Sequence, residues 1–239
     1  MIKLLLLLLS GAKLGKIFAS GGTMLVSLVV YAFVFGWRYA AGFVALLFAH
    51  EMGHFVAARQ RGLAVGMPTF IPFVGAWIDL KEQPRDVETE AYVALAGPVV
   101  GTVAAILTYV AAGDDGPRWL LAVAYAGFFL NLFNLLPLSP LDGGRITAVL
   151  SPRIWFVGVP LLGAFFLWHP NPMLLLIALL AAPQVVKAWR YDPKAPENAA
   201  YYAIAPRRRA EILAVYFGLA AYLAFMTYRT HELISAGTS

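Results

Sequence analysis

The chain has 239 residues, with 18 Lys plus Arg against 13 Asp plus Glu, 61% apolar side chains and a mean hydropathy of +0.73. Only 13% of its residues are charged, where soluble domains carry about 25%, so a water-soluble globule, a disordered chain and a collagen-like repeat are all excluded. What remains is a polytopic membrane protein without cysteine, in which any metal must be held by His, Asp, Glu or backbone oxygen.

A bilayer-crossing helix needs about 20 apolar residues, and the uncharged runs mark where such helices fall. Residues 1–10 carry one Lys and six consecutive Leu. They are too short for a signal-peptide core and lack a small-x-small cleavage site, so an interfacial or re-entrant segment is predicted. Spans are predicted at 17–37, 39–58, 91–113 and 119–141. The uncharged run 154–186 is too long for one helix and is broken by His169-Pro170-Asn171-Pro172 into two short spans. Residues 212–228 complete a set of six to seven transmembrane helices.

Two polar connections interrupt these spans, 59–90 and 187–209. Within the first, the Pro- and Gly-broken stretch 66–78 is predicted to be extended, strand-like chain at the membrane surface. With the N-terminus placed in the cytoplasm, the basic residues fall on the inner side except Arg38, Arg118 and Arg229, as the positive-inside bias requires. The expectation is a multi-pass protein of the cell membrane with the lipid bilayer as its surroundings. The basic balance then gives no reason to invoke nucleic acid as a partner.

Inside the second span lies His50-Glu51-Met52-Gly53-His54. Residues four apart share one helix face, so the two imidazoles can bind one tetrahedral Zn²⁺. Glu51, turned roughly 100° away, can reach a bound water without ligating the metal. Zinc lowers the pKa of such a water from ~15.7 to about 7, and Glu51 is positioned as the general base that takes its proton. The pattern also occurs in ordinary helices, where a structural polar cluster is the competing reading. A carboxylate within the bilayer, however, is costly and as a rule faces a cavity and serves a function. Glu51 sits roughly 10 Å below the cytoplasmic edge of its span, which turns the site toward that side.

A catalytic zinc takes a third protein ligand, and Asp142 is the candidate, at the same membrane depth in the stretch Asn134-Leu135-Leu136-Pro137-Leu138-Ser139-Pro140-Leu141-Asp142-Gly143-Gly144-Arg145. Pro137 and Pro140 prevent a regular helix there, and Gly143-Gly144 permit unusual backbone angles; a simple helix cap at Asp142 is the alternative. Asn131 and Asn134 share a face of the fourth span, where either could contact a substrate or bond between helices. Gly97 and Gly101, flanking Pro98, form a small-xxx-small pattern that permits close helix packing. His169 and His231 fall on the outer side and are not expected to be ligands.

Taken together, the HExxH within a span, the Ala96-Gly97-Pro98 segment and the Asn134-x-x-Pro137-x-x-Pro140-Leu141-Asp142-Gly143 motif resemble the site-2 protease family of intramembrane zinc metalloproteases. The resemblance covers roughly residues 39–150. It implies an all-α polytopic fold with a three-helix catalytic core at about 39–150, additional C-terminal helices at 151–239, and the whole as a single membrane-embedded peptidase domain. It also implies one Zn²⁺ held by His50, His54 and Asp142, Glu51 as general base, Asn134 in substrate contact, and a membrane-spanning protein as substrate. The stretch 66–78 would then pair with an unwound substrate strand. The connection 59–90 is too short for a PDZ domain, and no regulatory module of the cystathionine-synthase type is expected after Tyr228, so the chain reads as a short form. A proteolytically inactive metal-binding scaffold is the alternative, and a transporter a more distant one, since only one broken-helix constellation is found where a transporter needs two.

Overall fold

In hydrocarbon a chain must satisfy every backbone polar group within itself, so the runs predicted to span the bilayer fold mainly as helices. A computed structural model of the protein describes residues 2–73, 75–113, 116–168 and 170–236, with side chains from residue 19 onward apart from Met173. The order is α1 (Ile2–Phe35), α2 (Trp37–Gln60), β1 (Thr69–Ile71), β2 (Gly75–Trp77), α3 (Val87–Ala112), α4 (Arg118–Asn134), α5 (Asp142–Thr147), a 3₁₀ turn (Pro152–Ile154), α6 (Trp155–Trp168), α7 (Pro172–Trp189), α8 (Pro196–Tyr201) and α9 (Pro206–Ala236). Among the described residues, α2, α3 and α9 are long and apolar enough to cross a membrane, and Ala19–Phe35, Pro152–Trp168 and Leu174–Trp189 are shorter apolar helices. The protein is an all-α polytopic membrane protein carrying one small hairpin.

Two expectations change in detail. Residues 2–16 continue α1 without a break; no proline interrupts this Leu-rich stretch, so nothing turns it back as a re-entrant segment. The fourth helix ends at Asn134, seven residues short of the predicted boundary. Pro137 and Pro140 have no N–H to continue the ladder.

The helices pack in sequence order through the centre, α2 on α3 and α3 on α4, with α1 outside α2 and α9 against α3 and α4. A buried apolar cluster joins α3, α4, α5 and α9 through Ala94, Ala105, Phe128, Ile146, Tyr216 and Leu223. The α6–α7 pair attaches at the side through Leu138, Trp155 and Leu162. α3 starts on the N-cap Asp86, whose Oδ1 accepts from Thr89 N–H at 2.7 Å, with Glu88 and Glu90 in its first turn. Ion pairs Arg145–Glu90 and Arg208–Glu88 gather at this end, and Arg118 donates to the Ile234 carbonyl near the far end of α9 at 2.8 Å. α3 and α9 therefore run parallel, as alternating spans require.

The stretch predicted to be extended is an antiparallel hairpin with register Thr69↔Trp77, Phe70↔Ala76 and Ile71↔Gly75. It leans on α1: Phe70 N–H donates to Thr23 Oγ1 at 3.3 Å, Phe73 N–H to Tyr31 Oη at 2.9 Å, and Ser20 Oγ to the Pro68 carbonyl. Because Phe70 N–H points outward to α1, Phe70 and Ala76 oppose each other as a non-hydrogen-bonded pair. The N–H and C=O of Ala76 therefore face the opposite edge, where no described residue bonds them.

Candidate metal centre

α2 brings His50 and His54 to one face, and the break after α4 returns the chain so that α5 begins with Asp142 beside them. His50 Nε2 lies 3.1 Å from Asp142 Oδ2, His54 Nε2 lies 3.3 Å from the same oxygen, and the two Nε2 atoms are 3.1 Å apart. All three side chains are buried, at 3%, 5% and 7% exposure, as is Glu51 at 5%. These ligand atoms form the one group of three or more His, Cys, Asp or Glu among the described residues that could hold a metal ion.

Hydrogen bonding on the far side of each ring decides what the near side presents. Asn131 Nδ2 donates to the Gly127 carbonyl at 2.7 Å, so its Oδ1 is the atom 2.8 Å from His50 Nδ1. Asn131 thus accepts, and His50 carries its proton on Nδ1. A carbonyl can only accept, so the 2.8 Å contact of His54 Nδ1 with the Val93 oxygen makes His54 the donor as well. In the neutral imidazoles both Nε2 atoms are then lone-pair donors that converge on a carboxylate oxygen, and three lone pairs at such distances repel unless a proton or a metal cation lies between them. For Zn–N bonds of about 2.05 Å, a tetrahedral site needs ligand atoms about 3.3 Å apart. The separations fit, and the Nδ1 bonds are the usual orienting contacts of metal-binding imidazoles.

The backbone around the site is shaped to this purpose. A Cβ on Gly97 would strike the His54 ring at Nε2 and Cε1, and one on Gly101 would strike Asn131 Oδ1, so the small-xxx-small pair admits the imidazole and its neighbour's amide as well as packing helices. Gly143 and Gly144 have ordinary helical angles, contrary to expectation; among the described residues, the glycines with positive φ are Gly36, Gly62, Gly75 and Gly113. They lack side chains because α5 presses against the backbone at Leu135 and Leu138. The irregular segment is satisfied by side chains: Tyr216 Oη donates to the Leu135 carbonyl at 2.6 Å and Trp155 Nε1 to the Gly144 carbonyl at 2.9 Å. α3 continues through Pro98.

The structure brings His50, His54 and Asp142 together, with Glu51 adjoining them on α2. Asn134 is separate: it is half-buried at the end of α4, and its side chain bonds no described residue. His231 is exposed on α9 beside Tyr125, and His169 lies outside the described residues. Helical spacing paired Asn131 and Asn134 and the resemblance singled out Asn134 for substrate contact; neither reading placed Asn131 beside His50. The Val93 carbonyl was not foreseen, since a backbone acceptor leaves no mark in the sequence.

Residues 38–114 match the family model of peptidase family M50, the site-2 protease family. A Mycobacterium tuberculosis protein provisionally named zinc metalloprotease Rip3 is 34% identical over 128 residues, covering 48% of this chain and 32% of that protein. A zinc metalloprotease of Methanocaldococcus jannaschii is 28% identical over 114 residues, 45% of this chain and 33% of its own. A provisionally named zinc metalloprotease of a Synechocystis species is 35% identical over 118 residues, 46% and 30% respectively. The chain spans about a third of the length of these curated relatives.

Proposed function

We propose that the protein is an intramembrane zinc metalloprotease of the site-2 type, hydrolysing a peptide bond within or near the transmembrane segment of a membrane-anchored protein. The observation that carries this reading is the convergence of two Nδ1-protonated imidazoles and a carboxylate, buried in the helix core and one residue from a buried glutamate. His50, His54 and Asp142 would hold one Zn²⁺. Bound there, zinc supplies a Lewis acid that polarises the scissile carbonyl and acidifies a water.

Glu51 then does the proton work. Its carboxylate accepts no hydrogen bond from a described residue, so it is free to take a proton from the attacking water and to return it to the amide nitrogen as the C–N bond breaks. Asn131 and Val93 keep the imidazoles in the tautomer that leaves Nε2 unprotonated. Asn134, with an unengaged amide at the broken end of α4, is suited to hold a substrate carbonyl.

A substrate helix hides its peptide bonds in its own ladder and must unwind to be cut. The open edge of β2 at Ala76 offers the freed strand backbone partners, whereas the edge of β1 is already taken by α1. Charge distribution supports a cell-membrane protein with its N-terminus in the cytoplasm and its site toward that side.

The test is peptide mass spectrometry on membranes bearing wild-type protein or the Glu51→Gln variant, with zinc measured in both. Site-specific fragments that vanish in a variant retaining zinc support the protease. Cleavage undiminished in that variant would sink it, and zinc binding with no fragments from either protein would favour the scaffold reading. Asp142→Ala should lower bound zinc; unchanged zinc means the third ligand lies elsewhere.

A further inference from the structure

Glu90 lies one turn before Val93 on α3, and both of its carboxylate oxygens are engaged. Oε1 is 3.3 Å from Arg145 Nε on α5, and Oε2 accepts from Tyr201 Oη on α8 at 2.6 Å. Burial, and then the neighbouring Glu90 charge, hold the Tyr201 hydroxyl well above the usual phenol range, so it stays a donor. Arg145 is three residues after Asp142 on the same short helix, and residues at that spacing share a face.

α5 has six residues and follows an irregular stretch. So short a helix does not hold itself, and contacts to other elements must fix its position. Beneath the Glu90–Arg145 pair lies an apolar cluster of Val87, Ala91, Ala148 and Val149, flanked by Tyr201 and Ile204. Both partners of the pair are about one-quarter exposed. The adjacent Arg207–Glu211 and Arg208–Glu211 pairs are far more open and are of the exposed kind that contributes little.

Glu90 thus joins the helix that carries Asp142 to the helix whose Val93 carbonyl orients His54. We propose that Glu90 is a positioning residue for the metal centre: through Arg145 it fixes how far the Asp142 carboxylate stands from the two imidazoles, and Tyr201 locks Glu90 in place. The inference deepens the metalloprotease reading and rests on Asp142 being a ligand. It also makes the connection after α7 part of the support of the site, by way of Tyr201.

The test uses the full chain in lipid nanodiscs, with Glu90→Gln, Arg145→Gln, the double variant, Tyr201→Phe and, as a control, Glu88→Gln, which breaks the comparably exposed Glu88–Arg208 pair at the same end of α3. The readouts are the zinc Kd by chelator competition and the visible spectrum of the Co²⁺-substituted protein, which reports ligand geometry. Glu90→Gln and Arg145→Gln should each weaken zinc on the order of tenfold and alter the Co²⁺ bands. The double variant should be no worse than either single one, as expected of two residues acting as a unit, and Glu88→Gln should change neither readout. Wild-type Kd and spectrum in Glu90→Gln, or effects that simply add, overturn the proposal. If Glu90→Gln does not fold, an unchanged Co²⁺ spectrum in Tyr201→Phe overturns it equally. Asp142→Ala separates the two readings: full zinc affinity there removes the underlying assignment, whereas its loss alongside a silent Glu90→Gln removes only the positioning role.

Discussion

Gly97→Ala alters none of the proposed ligands and spares the proposed general base, yet it should weaken zinc binding at the centre. The added methyl would overlap His54 Nε2 and Cε1 and stand 2.8 Å from Cδ2. Non-bonded carbons settle at no less than about 3.5 Å, so the ring must retreat by at least ~0.7 Å at Cδ2, and by more at Cε1 and Nε2. Metal–ligand distances tolerate only about 0.2 Å. If α3 withdraws instead, by ~1 Å, the 2.8 Å bond from His54 Nδ1 to Val93 opens to ~3.8 Å and ceases to be one. Either relaxation disables His54. Overpacking should cost about 1–3 kcal/mol of stability, while zinc affinity should fall on the order of a hundredfold. Chelator competition measures the affinity, elemental analysis the stoichiometry, and thermal unfolding the fold. A Gly97→Ala protein that folds, holds one zinc with wild-type affinity and cuts at the wild-type rate would refute the geometry from which this is argued.

Asn131→Leu removes the acceptor from His50 Nδ1. Zinc affinity should drop by about 10–100-fold, and a Co²⁺ spectrum identical to wild type would contradict the orienting role. Ala76→Pro deletes the outward N–H of β2 and should slow cleavage of a transmembrane substrate while leaving the zinc Kd untouched; equal rates would discard the strand-docking edge. Dialysis against a strong chelator should abolish cleavage, and an equimolar addition of Zn²⁺ should restore it, as followed by fragment mass spectrometry. Trp155→Phe forfeits the hydrogen bond to the Gly144 carbonyl, and about 1 kcal/mol of stability should go with it, read as a lowered Tm.

What the sequence made legible was mostly local. His50 and His54 declare themselves because helical spacing alone puts them on one face, and Asp142 followed because two prolines mark the only broken helix end at matching depth. The stretch 66–78 read as extended for its Pro and Gly content, although its hairpin register depends on Thr23 and Tyr31 of α1, some 40 residues away. Asn131 and Asn134 share a face, and only the packing of α4 on α2 separates the one that meets His50 from the one left unengaged. The Glu90–Arg145–Tyr201 clamp was invisible for a related reason. Its members come from three elements, and each alone looks like an ordinary interfacial residue.

Tyr216 lies 81 residues downstream of the carbonyl it serves, and that distance sets an order of events during biosynthesis. Leu135 leaves the ribosome long before α9 does, so the stretch leading to Asp142 stays one backbone partner short until α9 enters the bilayer. Zinc binding at the proposed centre should therefore wait on α9: a nascent chain arrested before residue 206 should bind zinc more weakly than one in which α9 is in place.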